Sequence, residues 1–350
     1  MSKKSLKVAS LFSGAGGLDL GFENAGYVIP WANEYDKTIW STYEANFPHT
    51  KLEHSSIVEV SPDDIPEIDG FIGGPPCQSW SEAGAARGIE DQRGQLFFEY
   101  LRLVEAKRPL FFLAENVSGI LFSKHNKALS AILGHFADLG YNVSYGLLNA
   151  ADYGVPQDRH RVIIVGYQSH LNKFFSPPKP REDKVTLRQS IWDLSGSAVA
   201  AKNDCLANEN LRIPNHEFLV MGFSPMFMSR NRVRDWDEQS FTIQAGARHA
   251  PLHPQAPKMI TVRKDLKAFA TGSEDLYRRL TVREAARVQT FPDTHIFEYQ
   301  NVTNGYKMIG NAVPVEFARA MADQIAQDLD GCSKSTSKLK RGEIKHFSEL

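Results

Sequence analysis

The nine residues Gly73-Gly74-Pro75-Pro76-Cys77-Gln78-Ser79-Trp80-Ser81 place a thiol directly behind two prolines, at the end of the short apolar run Phe71-Ile72. An apolar run that stops at Gly and Pro reads as a buried strand meeting a loop. Open α/β sheets take their ligands at the carboxyl ends of strands, so Cys77 stands where chemistry can be done. As a thiolate it is a nucleophile. As a thiol it is a small buried hydrophobe, the commoner fate of an isolated cysteine. An unperturbed thiol, with a pKa of ~8.5, is only slightly ionised near neutrality, so neighbouring positive charge would help.

Several other segments carry groups that could share a site with it. Ala114-Glu115-Asn116-Val117 ends another expected strand. If both strands end at one sheet edge, Glu115 lies near Cys77, where a carboxyl can donate a proton. In Gln157-Asp158-Arg159-His160-Arg161 the two arginines alternate. They would project to one side of an extended segment and suit phosphate or carbonyl oxygens. The loop Phe12-Ser13-Gly14-Ala15-Gly16-Gly17 joins a strand to a helix, and its glycines let backbone approach a ligand. Its spacing is not GxGxxG, which disfavours a nicotinamide cofactor. About twenty residues later Asn33-Glu34-Tyr35 offers an acid for ribose hydroxyls. Together the two point to an adenosyl-bearing cofactor. Residues 212–263 hold seven Lys/Arg against four Asp/Glu, a local net of +3. Arg230, Arg232, Arg234, Trp236, Arg248 and His249 fall in this stretch, which suits a nucleic-acid backbone and base edges.

The elements that must position these groups alternate. Residues 8–12, 28–32, 70–72, 110–114, 143–148 and 162–165 read as strands, with helical patterns at 95–106 and 126–139. Such alternation predicts an α/β fold with a mostly parallel sheet covered by helices on both faces. The linker signal Ser176-Pro177-Pro178-Lys179-Pro180 introduces a long irregular stretch. Helical pattern returns at 281–289 and strongly at 314–329. The expected organisation is a catalytic and cofactor-binding domain at 1–184 and a target-recognition domain with its hinge at 185–300. A segment at 301–330 returns to the first domain, and a polar tail at 331–350 is expected to be disordered. The 350 residues carry a net charge of −1 with 42% hydrophobic and 23% charged residues, an ordinary globular composition. Cys77, Cys205 and Cys332 are widely spaced, which argues against zinc and a disulfide framework and fits a reducing cytoplasm. No metal is expected. No stretch has the length of a membrane-spanning helix.

Taken in order, these pieces resemble the bacterial cytosine-5 DNA methyltransferases of restriction–modification systems, over nearly all of residues 6–328. The resemblance rests on the 12–17 loop, Glu34, Pro75-Pro76-Cys77-Gln78, Glu115-Asn116-Val117 and Gln157-x-Arg159-x-Arg161. It continues through Arg279-Leu280-Thr281-Val282-Arg283-Glu284, Phe291-Pro292-Asp293 and Gly310-Asn311-Ala312-Val313-Pro314. Residues 227–234 and 252–257 look most like the GGCC-modifying members. The resemblance implies a Rossmann-like fold, S-adenosylmethionine as methyl donor and double-stranded DNA as partner. It places Phe12 on the adenine and Glu34 on the ribose. Gly14, Gly16, Tyr35, Ser56, Ile57, Pro76, Leu96, Asn311 and Val313 complete the pocket. One departure is Ser55-Ser56-Ile57, where such enzymes usually read Gly-Asp-Ile; Ser56 can still accept a hydrogen bond, without charge.

The resemblance also implies the chemistry. Cys77 would attack C6 of a flipped-out cytosine, Glu115 would act at N3, and Arg161 with Arg159 would hold O2 and nearby phosphates. Residues 79–94 would form a lid. Gln78, Ser81, Arg230, Arg232 and Arg248 would contact DNA, with Arg232 and Arg248 reading guanine. A monomer suffices, and a cognate restriction endonuclease is the implied functional partner. An RNA cytosine-5 methyltransferase is disfavoured by the long basic insert. A non-enzymatic DNA-binding regulator is disfavoured by intact Cys77, Glu115 and Arg161. An amino-group methyltransferase is disfavoured because cysteine follows Pro75-Pro76.

Overall fold

Strands with apolar side chains on both faces need cover on both sides, and that demand organises this chain. The computed structural model describes residues 5–75, 96–335 and 339–350. Its main sheet uses β1 (Lys7–Leu11), β2 (Val28–Asn33), β3 (Lys51–Glu53), β4 (Gly70–Gly73), β5 (Phe111–Val117), β6 (Tyr141–Asn149) and β7 (His160–Gln168). Two short pairs follow, β8 (Val199–Ala200) with β9 (Glu217–Phe218) and β10 (Ile260–Arg263) with β11 (Leu266–Ala268). A last strand, β12 (Ile344–His346), returns to the main sheet.

The order is β12-β6-β7-β5-β4-β1-β2-β3, and only β7 runs antiparallel to its neighbours. The fold is therefore the mixed α/β, parallel-dominated sheet expected. The helices are α1 (Gly17–Asn24), α2 (Trp40–Asn46), α3 (Leu96–Lys107), α4 (Asn126–Asp138), α5 (Leu187–Ile191), α6 (Val282–Val288), α7 (Val302–Asn311) and α8 (Val315–Asp328). One face of the sheet packs on α3 and α4 through Phe71, Phe97, Tyr100, Phe112, Ile132 and Phe136. The other packs on α1 and α8 through Phe22, Phe111, Val165, Phe317, Met321 and Ile325.

Beyond the linker, a third apolar cluster joins Leu187, Leu219 and Ile243 to Val282, Tyr306 and Ile309, and reaches Ala15 of the first loop. A small satellite core of Phe227, Val233, Leu252, Ala256, Met259 and Tyr277 holds the irregular stretch around residues 227–277. The helix α6 starts on a capping box, with Thr281 Oγ1 accepting from Glu284 N–H and Glu284 accepting from Thr281 N–H. Arg278 grips the same buried carboxylate with two hydrogen bonds, at 2.7 and 2.8 Å.

The tail departs from expectation. Instead of remaining disordered, Ile344–His346 pairs in parallel with Val143–Tyr145 of β6. Glu343 O accepts from Val143 N–H at 2.7 Å, and the Phe347 ring lies over Gly146. Composition alone misleads here, because the open edge of β6 supplies hydrogen-bond partners that the tail's own sequence cannot reveal.

Candidate active site

The register of four strands decides which residues meet. Leu11 is opposite Asn33 of β2 on one side and Gly73 of β4 on the other, and Gly73 is opposite Ala114 of β5. The carboxyl ends of β1, β2 and β4 therefore finish together, and β5 runs on past them from Glu115 to Val117. Because β1 has β2 on one side and β4 on the other, the chain crosses in opposite directions at this point. That is the topological switch where such sheets leave a crevice.

The first loop lines it. Phe12 holds a left-handed φ of 56°, an uncommon setting for an aromatic residue. At Gly16, with φ 79°, a Cβ would overlap the Phe47 ring, so only glycine lets the loop close onto α2. Gly14 N–H donates to Glu34 Oε2 at 2.9 Å, and Asp36 N–H donates to Glu34 Oε1 at 2.7 Å. Burial, the largest influence, pushes the Glu34 carboxyl above its ordinary pKa despite these two bonds. Tyr35 stands 71% exposed beside it. Asn33 Nδ2 donates to Glu53 O and Ser55 O, which draws half-buried Ser56 and buried Ile57 toward the same edge. Leu96, half-buried, opens α3. A Cβ at Gly17 would overlap Val313 O, so exposed Asn311 and buried Val313 border the loop. Ser13 Oγ is buried with no hydrogen-bond partner among the described residues.

An apolar ring, a half-buried carboxylate with lone pairs to spare and an orphan hydroxyl fit a nucleoside carrying a polar tail. S-adenosylmethionine is such a molecule.

A second cluster lies at the end of the neighbouring strands. Glu115, at the end of β5, pairs through Oε1 with Arg161 Nε at 2.8 Å, and both side chains are nearly buried. Arg161 sits opposite Val117 and is further oriented by its Nη1 donating to His160 O. A Cβ at Gly74 would lie 3.3 Å from Glu115 Oε2, and Asn116 Nδ2 donates to Pro75 O at 3.4 Å. Gly74 and Pro75, which lead toward Cys77 in sequence, thus run past Glu115 and Asn116. Pro76, Cys77, Gln78, Ser81 and the proposed lid lie outside the described residues.

Two arginines sit differently from expectation. Arg159 does not extend beside Arg161 into open space. It is 1% exposed and donates to Ile243 O, Gly310 O and Ala312 O, at 3.1, 3.0 and 3.0 Å. Burial, with Arg161 nearby, pulls its guanidinium pKa down. Its observed work is to brace three segments behind the site. Arg232, expected to read a base, is turned inward. Its Nε and Nη2 donate to Phe227 O and Met226 O, and its guanidinium lies over the Phe227 ring. Backbone carbonyls of an irregular turn need donors, and arginine supplies several at once. Arg230 and Arg248 remain exposed. The two segments that resemble GGCC-modifying enzymes touch through a bridge between Val233 and Leu252.

Lys307 and Gln289 escaped the sequence argument, in which Arg279 and Gln157 appear only as motif residues without a role. Arg279 gathers Leu219 O, Met221 O and Gly222 O. Lys307 pairs with Asp36 next to Glu34. Gln157 and Gln289, both fully buried, hydrogen-bond to each other. The pattern Val302, Tyr306, Ile309 behind the cap Asn301 could have announced α7, and with it Lys307. No local signal marks Arg279 or Gln289 as buried. Among the described residues no cluster of His, Cys, Asp or Glu could hold a metal ion, and no helix is long and apolar enough to cross a membrane.

Known proteins resemble this chain over nearly its whole length. The family model of the C-5 cytosine-specific DNA methylases matches residues 6–327. The type II methyltransferase M.NgoPII of Neisseria gonorrhoeae is 54% identical, over 93% of this chain and 96% of its own length. M.MthTI of Methanothermobacter thermautotrophicus is also 54% identical, over 93% and 99%. The fold is similar to that of a chain described as a prophage-encoded DNA modification methyltransferase of E. coli. The TM-score is 0.71 and the identity 24%, covering 93% of this chain and all of that one.

Proposed function

The chain belongs to the C-5 cytosine-specific DNA methylases and is a DNA cytosine-5 methyltransferase; on that premise we propose how its residues act, and on what DNA. It is the modifying enzyme of a type II restriction–modification system, and a cognate endonuclease is its functional partner. Its target is one cytosine of a short GC-rich palindrome, with GGCC the first choice. A monomer suffices, because one subunit modifies each strand in turn.

The observation that carries the reading is the Glu115–Arg161 pair at the end of β5, beside Gly74-Pro75. Cytosine C5 is too poor a nucleophile to be methylated unaided. Cys77, as thiolate, adds to C6 and raises electron density at C5. Glu115, held in place by Arg161, hydrogen-bonds at N3 and stabilises the charge that builds there. Once C5 has taken the methyl group, its proton passes to water and the C6–S bond breaks, which releases the thiolate and restores the ring double bond. S-adenosylmethionine, where bound, supplies an electrophilic methyl group. Glu34, Ser13 and Phe12 would hold its adenosyl part, with Tyr35, Ile57, Asn311 and Val313 around it. None of these atoms is reachable inside a stacked duplex, so the base is flipped out, at a cost of a few kcal/mol. Exposed Arg230 and Arg248 serve the DNA face, and Arg248 reads guanine.

Bisulfite sequencing of DNA from cells expressing the protein tests both levels. Protected cytosines at GGCC are the expected result. Protection at another site would remove the GGCC assignment alone. Complete conversion at every cytosine would overturn the functional reading.

A further inference from the structure

Four segments far apart in sequence meet at one buried point. Ile243, fully buried, opens the segment Gln244-Ala245-Gly246-Ala247-Arg248-His249, which carries the exposed Arg248. Ile243 N–H donates to Gln157 Oε1 at 2.8 Å, and Ile243 O accepts from Arg159 Nη1 at 3.1 Å. Gln157 Nε2 donates to Gln289 Oε1 at 2.8 Å. Gln289 Nε2 in turn donates to Ile309 O and Ala312 O, at 2.7 and 3.1 Å. Arg159 Nη2 reaches Gly310 O and Ala312 O. Two side-chain bridges therefore run in parallel from Ile243 to residues 309–312. A third contact needs no side chain: a Cβ at Gly310 would overlap the backbone of Gln244 and Ala245.

On this basis we infer that Gln157 and Gln289 are positioning residues that lock the recognition segment to the cofactor edge, so that binding of the DNA site and of S-adenosylmethionine reinforce each other. The inference rests on the function proposed above. Its physical ground is the cost of relative movement. Buried amides are expensive to desolvate, and apolar side chains could fill the same space. What an amide adds is direction, since each bond fixes one segment against another. If Arg248 seats on a base and shifts 243–249, the carbonyls at 309–312 follow, or buried donors lose their partners. Asn311 and Val313 lie within or next to those carbonyls, at the cofactor pocket. Arg159 is two residues from Arg161, so the same lock also abuts the Glu115 pair. Coupling of this kind is reciprocal: whatever factor DNA lends the cofactor, the cofactor lends DNA.

The test measures S-adenosylhomocysteine affinity by calorimetry, with and without a duplex bearing the methylated site. The wild type should bind it at least fivefold more tightly on the duplex, the lower end of common coupling factors. Gln157→Met and Gln289→Met should leave affinity in the free enzyme within about twofold and abolish the enhancement. A purely structural role predicts instead that enhancement persists in the folded fraction, and that result overturns the inference. So does a wild type that methylates DNA yet shows no enhancement. Should neither variant fold, hydrogen exchange on the wild type decides. S-adenosylhomocysteine alone should slow amide exchange across residues 241–250, and unchanged exchange there refutes the lock. A wild type that methylates no DNA brings down the proposed function, and the lock with it.

Discussion

Arg161→Ala isolates the step on which the chemistry turns. In the structure Arg161 Nε lies 2.8 Å from Glu115 Oε1, with the two side chains 13% and 10% exposed. Removing it deletes one charge-assisted hydrogen bond that water only partly replaces. Bonds to charged groups contribute ~1.5–3 kcal/mol. At about 1.4 kcal/mol per tenfold, that corresponds to a fall of roughly 10- to 150-fold in the methyl-transfer rate. Single-turnover transfer to a duplex is the assay, with cofactor and duplex affinities measured alongside; both should change little. Glu115→Gln should lose more, ~10²–10⁴-fold, as acid–base groups commonly do. The double variant is decisive. If Arg161 acts by holding Glu115, adding Arg161→Ala to Glu115→Gln costs almost nothing further. If the two losses multiply, Arg161 works on the base directly, through O2, and the positioning argument is refuted.

Other outcomes follow from the same geometry. Cys77→Ser should abolish methylation and covalent trapping on 5-fluorocytosine DNA while duplex binding persists, because phosphate contacts supply much of the affinity; a trapped serine variant would exclude Cys77 as nucleophile. Arg248→Ala should relax specificity at one base position, by ~1–3 kcal/mol, in an assay on singly varied sites. Arg232→Ala, which removes bonds to Met226 O and Phe227 O, should instead lower thermal stability and depress all sites alike; a change of base preference would contradict its inward placement. Burial pushes the Asp19 carboxyl up to about 7, although Ser10 and Tyr43 donate to it. A raised carboxyl favours folding below its unfolded pKa and loses that advantage as pH climbs through about 7. Asp19→Asn should therefore gain stability relative to wild type between pH 5 and 7, by roughly 3 kcal/mol over those two pH units. A Tm difference that is flat across that range would show the carboxyl to be already ionised.

Most of the sheet could be read in advance because buried strands announce themselves locally. Phe111-Phe112-Leu113-Ala114 and Val162-Ile163-Ile164-Val165 need apolar cover on both faces, and nothing else in the chain competes for those readings. The three-residue β3 and the seven-residue α2 lack that density and were not anticipated. Glu115 beside the Gly74-Pro75 approach followed from strand ends alone. Arginine burial did not. Arg159, Arg232 and Arg279 look like surface residues in sequence; Arg232 turns back on carbonyls five and six residues away, and the carbonyls the other two serve lie 57 to 153 residues away. The tail erred in the same direction, since the edge that orders it belongs to β6. Local pattern reports what a segment can bury, while hydrogen-bond demand is set by whichever backbone arrives next to it.

The pairing of α1 with α8 bears on how the protein is made. Val315 at the start of α8 lies 315 − 24 = 291 residues after Asn24 at the end of α1. Yet the two helices are packed so closely that a Cβ at Gly21 would overlap Ala318, and Tyr27 Oη donates to Ala322 O at 3.0 Å. At ~5–20 residues per second of synthesis, the ribosome needs roughly 15–60 s to deliver the second helix. Throughout that interval Leu18, Phe22 and Ile29 lack the α8 side of their cover while the chain is still being translated. A nascent chain with one apolar face open for so long is a ready client for chaperones. Its yield should then depend on translation speed and temperature more steeply than the stability of the finished fold alone would suggest.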